Sequence, residues 1–152
     1  MTQGLTEFFR QKKQRADAET ANVNWQQVKA DWLAAIDLLY DQVRTSLQDA
    51  ERQGALQMAR RLKRISEEHL GEYEAPELVL SVADERVIFS PRGRNVVGAS
   101  GRVDVIGEAG ESMLVLQPGP RWSIVRSKYP QLQLVALDDD SLAEMLQGVM
   151  RP

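Results

Sequence analysis

The chain has no cysteine, a single histidine and, before Pro76, no proline. Without cysteine there are no disulfides, thiolate metal sites or thiol nucleophile, which suits a reducing cytoplasm. With only one histidine, most nucleophile–base pairs cannot be built. Also missing are a phosphate loop ending in Gly-Lys-Ser/Thr, a dinucleotide fingerprint and a Gly-x-Ser-x-Gly elbow. No stretch approaches the roughly 18 consecutive apolar residues of a membrane span. The N-terminus lacks the charge order and apolar core of a signal peptide. Charge of one sign is scarce too: the net value is −3 over 152 residues. Residues 1–70 hold 11 Lys/Arg against 10 Asp/Glu, and residues 71–152 hold 8 against 12. Neither half carries a field that would steer a polyanion by itself. These absences lead to the expectation of a soluble, cytoplasmic, non-enzymatic protein without cofactor or metal, and they point away from membrane and nucleic acid.

Hydrophobic residues make up 43% of the chain and charged residues 27%, the balance of a folded protein. Their period changes near residue 71. Before Gly71 apolar residues recur every three or four positions. After Pro76 they come in short runs, such as Leu78-Val79-Leu80 and Met113-Leu114-Val115-Leu116, punctuated by Gly and Pro. The expectation is an α+β protein: a helical arm over 1–71, then an antiparallel β-meander with a short C-terminal helix over 72–152, the two joined in one folded unit.

The strongest helix spans 24–50. Asn24 is its expected N-cap, and Trp25, Val28, Trp32, Ile36, Leu39, Val43, Leu47 and Ala50 form one stripe. Leu33 and Tyr40 widen that stripe, so it should pack on more than one neighbour. A second helical stretch is read over 55–70 from Leu56, Met58, Ala59, Leu62, Ile65 and His69. Gly54 then either reverses the chain into a helical hairpin, the preferred reading, or lies within one long helix at a cost of about 1 kcal/mol. A continuous rod would need a second chain to cover its stripe. Residues 5–20 form a weaker helix, with Leu5, Phe8 and Phe9 followed by the polar run Arg10–Arg15, and should be the most mobile part of the chain.

Strands are expected at 77–83, 86–90, 95–99, 102–106, 112–117, 121–126 and 131–137, separated by Gly, Pro, Asp and Ser turns too short for parallel crossovers. The sheet is either open or partly closed into a roll. Asp140 or Ser141 caps the last helix, Ser141 with Glu144 having capping-box spacing. In element order alone, the curled meander with its closing helix resembles pleckstrin-homology-type rolls, and a fold does not fix a function.

Two surfaces stand out. Arg92, Arg94 and Arg102, interleaved with Gly93, Gly98, Gly101 and Gly107, offer guanidinium forks for a phosphate or carboxylate ligand; the plainer account is glycine turns with arginines at solvated tips or paired with Asp104 and Glu108. Trp25, Trp32 and Tyr40 mark the arm as an interaction surface for a protein partner or for self-association. Arg60-Arg61-Leu62-Lys63-Arg64 reads as a solvated helix face, because no aromatic is interleaved for base stacking. His69 reads as a helix-terminal residue, Asp138-Asp139-Asp140 as acidic residues favouring a helix start, and Trp122 as core. The leading functional expectation is a non-enzymatic interaction or assembly module, with a homodimer formed through the arm as one form of it. The alternative is an anion-binding domain built on the hairpin 91–104.

Overall fold

The computed structural model describes residues 2–21, 23–94 and 101–152. Two helices come first, α1 (Thr2–Ala21) and α2 (Trp25–Arg52). Seven strands come next among the described residues: β1 (Gln57–Glu67), β2 (Gly71–Val82), β3 (Glu85–Gly93), β4 (Arg102–Ile106), β5 (Glu111–Gln117), β6 (Arg121–Ser127) and β7 (Gln133–Ala136). Helix α3 (Asp139–Val149) ends the fold. Each strand pairs antiparallel with the next, in the order β1 to β7, so the α+β meander is an open sheet. The strand expected at 95–99 lies outside the described residues.

Helix α2 begins as its sequence dictates. Asn24 is extended, and its side-chain oxygen accepts the Gln27 N–H at 3.1 Å, satisfying a donor that the first turn leaves free. The stripe is buried at Trp32, Ala35, Ile36, Leu39, Tyr40 and Val43. At the other end Gly54 takes φ +75°, a conformation that costs glycine little. The Gly54 N–H bonds Glu51 O at 3.1 Å and the Ala55 N–H bonds Ala50 O at 3.0 Å, the paired bonds of a Schellman ending.

Beyond Gly54 the chain is extended, not helical. Residues 57–67 form β1, paired with β2 along the whole register from Gln57↔Ser81 to Glu67↔Gly71. Neither the helical hairpin nor the long rod over 24–70 exists, and the change of period falls at Gly54 rather than Gly71. Leu62, assigned to a buried helical face, is 68% exposed on the sheet edge. The reason is tertiary: the first half of β2 has no partner in β3, whose ladder stops at Leu78↔Phe89, so β1 supplies the hydrogen bonds that Gly71–Glu77 would otherwise lack. This outranks the local helix preference of the Ala, Arg, Leu and Lys residues in β1. Its run of cations also blunts an otherwise open edge against pairing with other chains.

The paired end of β1 and β2 wraps round α2. In β2 the buried positions slip from Tyr73 and Ala75 to Leu78 and Leu80 across Pro76. There, where the β2–β3 ladder opens, the Tyr40 hydroxyl reaches Pro76 O at 2.7 Å and Phe89 O at 3.2 Å. On the other side, the Trp122 indole N–H of β6 donates to Ala35 O at 2.9 Å. Arg60 spans sheet edge and helix, 2.9 Å from Asp37 and 5.3 Å over the Tyr40 ring. One hydrophobic cluster joins α2, the sheet and α3.

Helix α3 closes the end of the sheet. Its N-cap is Asp138, earlier in the chain than the expected Asp140 or Ser141, with Ser141 as the reciprocal partner in place of the expected Ser141–Glu144 box. The Ser141 N–H, aided by its hydroxyl and the Asp140 N–H, holds the Asp138 carboxyl below its ordinary value. The C-terminal end of α3 is tied down twice. Arg151 binds the buried Glu85 through its backbone N–H at 3.0 Å and its guanidinium at 2.8 Å. Gly107 lies so close to α3 that an added Cβ would sit 2.1 Å from the Val149 carbonyl oxygen, which also accepts the Ala109 N–H at 2.8 Å. Gly107→Ala should therefore cost about 1–3 kcal/mol and should speed amide exchange selectively in α3. An unchanged urea midpoint would refute this account of the contact.

Candidate interaction site

In α1, Phe8 and Phe9 fall three and four residues after Leu5, so the three share one side of the helix. They are 58%, 57% and 59% exposed. The two phenyl rings meet edge to face at 5.5 Å, and Glu7 pairs with Arg10 behind them. Arg10, Lys12, Lys13 and Arg15 come next as an exposed cationic stretch. Among the described residues, α1 adds no side chain to the hydrophobic cluster or to the shell packed against it.

A second apolar feature lies between α2 and the β5–β6 turn. It is a groove of about 610 Å³ whose lining includes Val28, Trp32, Leu38, Leu116, Pro118 and Pro120. Asp31 and Arg94 also line it. Asp31 is bound only by the neutral Gln27 amide at 2.8 Å among the described residues. Among them, too, the Arg94 guanidinium has no hydrogen bond or ion pair; only its backbone N–H is engaged, to Glu67 at 2.7 Å. Leu38 stays 46% exposed on the groove wall.

The arginines singled out in sequence do not make one site. Arg92 and Arg102 converge on the buried Asp104, at 3.4 Å and 2.7 Å, whereas Arg94 lines the groove. Asp104 and Glu111 share a cavity of about 280 Å³ with Arg102, Arg126 and Lys128, so its charge is mixed. The same sheet face carries Lys63, whose ammonium donates to Ser90 Oγ at 2.9 Å and Pro91 O at 2.8 Å. Burial, then the Arg92 charge, hold Lys63 below its ordinary value. Burial alone would raise the Glu77 carboxyl, but the Ser90 and Arg61 hydrogen bonds and the charges of Arg61 and Lys63 outweigh it, so Glu77 is lowered. Arg60-Arg61-Leu62-Lys63-Arg64 is therefore a strand edge whose cations hold acids and carbonyls, not a solvated helix face.

The aromatic trio also separates. Trp32 and Tyr40 are each 1% exposed and cannot be presented to a partner by the folded chain. Their stripe is covered by the protein's own sheet, because β1 and β2 curl over it. Trp25 is only partly buried and stacks on His69 at 4.4 Å, with 8° between the planes. His69 sits in the β1–β2 turn at φ +69°, not at a helix end. A separate chain of bonds lies further in: the Trp32 indole donates to Tyr73 Oη at 2.9 Å, and the Tyr73 hydroxyl donates to Glu67. Glu67 gave no signal in sequence, since its partners are up to 27 residues away. Leu5, Phe8 and Phe9 did carry one, an apolar triplet whose stripe does not continue along the helix.

No family model matches the chain, and comparison with curated proteins and with solved structures finds no match either. Among the described residues no group of three or more His, Asp or Glu is placed to hold a metal ion, and no helix is long and apolar enough to cross a membrane.

Proposed function

We propose that the protein is a non-enzymatic interaction module whose binding element is α1. The observation that carries this reading is the exposure of Leu5, Phe8 and Phe9 on one helix face, 58%, 57% and 59%. Large apolar side chains grouped on a surface are characteristic of contact sites, whereas single ones are not. This reading puts the interaction surface on a helix outside the core rather than on the stripe of Trp25, Trp32 and Tyr40, of which Trp32 and Tyr40 are buried by the chain itself. An anionic ligand on Arg92 and Arg102 is the weaker alternative, because both guanidinium groups already neutralise Asp104.

A photoreactive phenylalanine analogue at position 8 tests the reading in cells. One discrete, stoichiometric protein adduct is expected, and Phe8→Glu/Phe9→Glu in the full chain should leave unchanged the melting temperature of the monomer, measured at concentrations where the wild-type chain does not associate. No adduct, or a marked fall in melting temperature, overturns it, the latter because the rings would then belong to the core.

A further inference from the structure

Among the described residues, nothing covers the apolar face of α1 and nothing fills the apolar groove beside α2, and each suggests the partner of the other. We infer that the occupant is a second copy of the chain: Leu5, Phe8 and Phe9 of each protomer fill the α2/β5–β6 groove of the other. The inference rests on the interaction-module reading and names its partner.

Shape and reach agree with the exchange. Phe9 lies twelve residues before the end of α1, roughly 18 Å along the helix axis, so the rings stand far enough from the α1–α2 junction to enter another molecule. The groove, about 610 Å³, is floored by the buried Trp32 and walled by Leu38 and the prolines of the 118–120 turn, a surface that favours flat aromatic rings. Charge complements it. The Asp31 carboxylate at the groove meets no cation in its own chain among the described residues, and Arg10, Lys12, Lys13 and Arg15 lie directly after the rings. A two-fold exchange also closes on itself, with no free projection or groove left to propagate a fibre.

Sedimentation equilibrium of the full chain tests this, with two variants altered only at exposed positions. The expected species is a dimer of twice the 17.1 kDa chain mass. Phe8→Glu/Phe9→Glu and Leu38→Glu should each weaken association at least about tenfold, since a charge would then be buried at the centre of the contact. Mixing the two variants should yield heterodimers tighter than either variant alone, because one intact projection then meets one intact groove. A monomer at all concentrations overturns the inference. So does a dimer indifferent to Leu38→Glu, or a groove found occupied by the same chain's α1. Binding to vesicles containing phosphatidylserine by a chain that stays monomeric overturns it too. A position-8 adduct with a different protein defeats the self-association and leaves the module reading standing; no adduct defeats both.

Discussion

Trp32→Ala is expected to lower stability by about 3–5 kcal/mol, the range for truncating a buried large aromatic. For a chain of this length that corresponds to a fall in melting temperature of roughly 6–20 °C. Trp32 is 1% exposed at the centre of the contact between α2, β6 and the curled end of β2. Its ring lies 6.0 Å from that of Trp122, and its N–H donates to Tyr73 Oη at 2.9 Å. The substitution removes packing on both sides of the helix and also deepens the groove beside Leu38, so little of the void can collapse. Trp32→Phe isolates the polar part and should cost about 1–2 kcal/mol, the net worth of a buried hydrogen bond plus a small volume change. The measurement is urea unfolding, reading the midpoint at constant slope. A loss below about 1 kcal/mol for Trp32→Ala would mean that α2 does not dock on the sheet through this residue.

Tyr40→Phe should cost about 1–3 kcal/mol at neutral pH, because Pro76 O and Phe89 O, at 2.7 Å and 3.2 Å, lose the hydroxyl that serves them where the β2–β3 ladder opens. The cost should then shrink in alkali. Burial, then the Glu77 charge, push the Tyr40 phenol well above its ordinary value near 10. Above pH 10 the unfolded chain releases this proton and the folded chain keeps it. The unfolded state then binds fewer protons, so stability falls as pH rises. The contribution is complete below about pH 10 and erodes above it, at about 1.4 kcal/mol per pH unit. Tyr73 is raised in the same direction, by burial and by its bond to Glu67, and adds a second such loss. The unfolding free energies of wild type and Tyr40→Phe should therefore converge between about pH 10 and pH 12. Parallel curves would show that the phenol is not held in its neutral form by the fold.

The parts of the fold legible in sequence were those governed by neighbours along the chain. Asn24 capping α2, Gly54 ending it and the stripe from Trp32 to Val43 all follow from helical periodicity and from backbone donors that need partners within a turn. The strands from Glu77 onward, excepting the stretch outside the described residues, showed in their short apolar runs and their Gly and Pro turns, whereas Gly71–Pro76, the first half of β2, precedes the expected start at 77 and did not. Strand β1 did not show. Met58, Leu62 and Ile65 fit a helical period by coincidence, and the signal that decides against helix, the unpaired half of β2, lies further along the chain, with β1 and β2 in register from Gln57↔Ser81. Arg102 could be paired with Asp104 from sequence because the two are close in the chain; that Arg92 joins them while Arg94 departs to the α2 groove could not.

The same division holds for the candidate site. Leu5, Phe8 and Phe9 were visible as an apolar triplet, but whether they lay in the core was not. Residue order set the class of fold, the ends of the helices, the absence of thiol and paired-histidine chemistry, and the amphipathic character of α2. The tertiary structure decided which apolar face the chain covers itself and which it leaves bare. Burial is a property of the whole surface, since a stripe is satisfied by whatever sheet curls over it, and hydrogen bonds between strands are completed by whichever segment can reach them. For that reason Trp32 and Tyr40 turned inward, Trp25 stayed half-buried against His69, and the weaker helix before them became the exposed one.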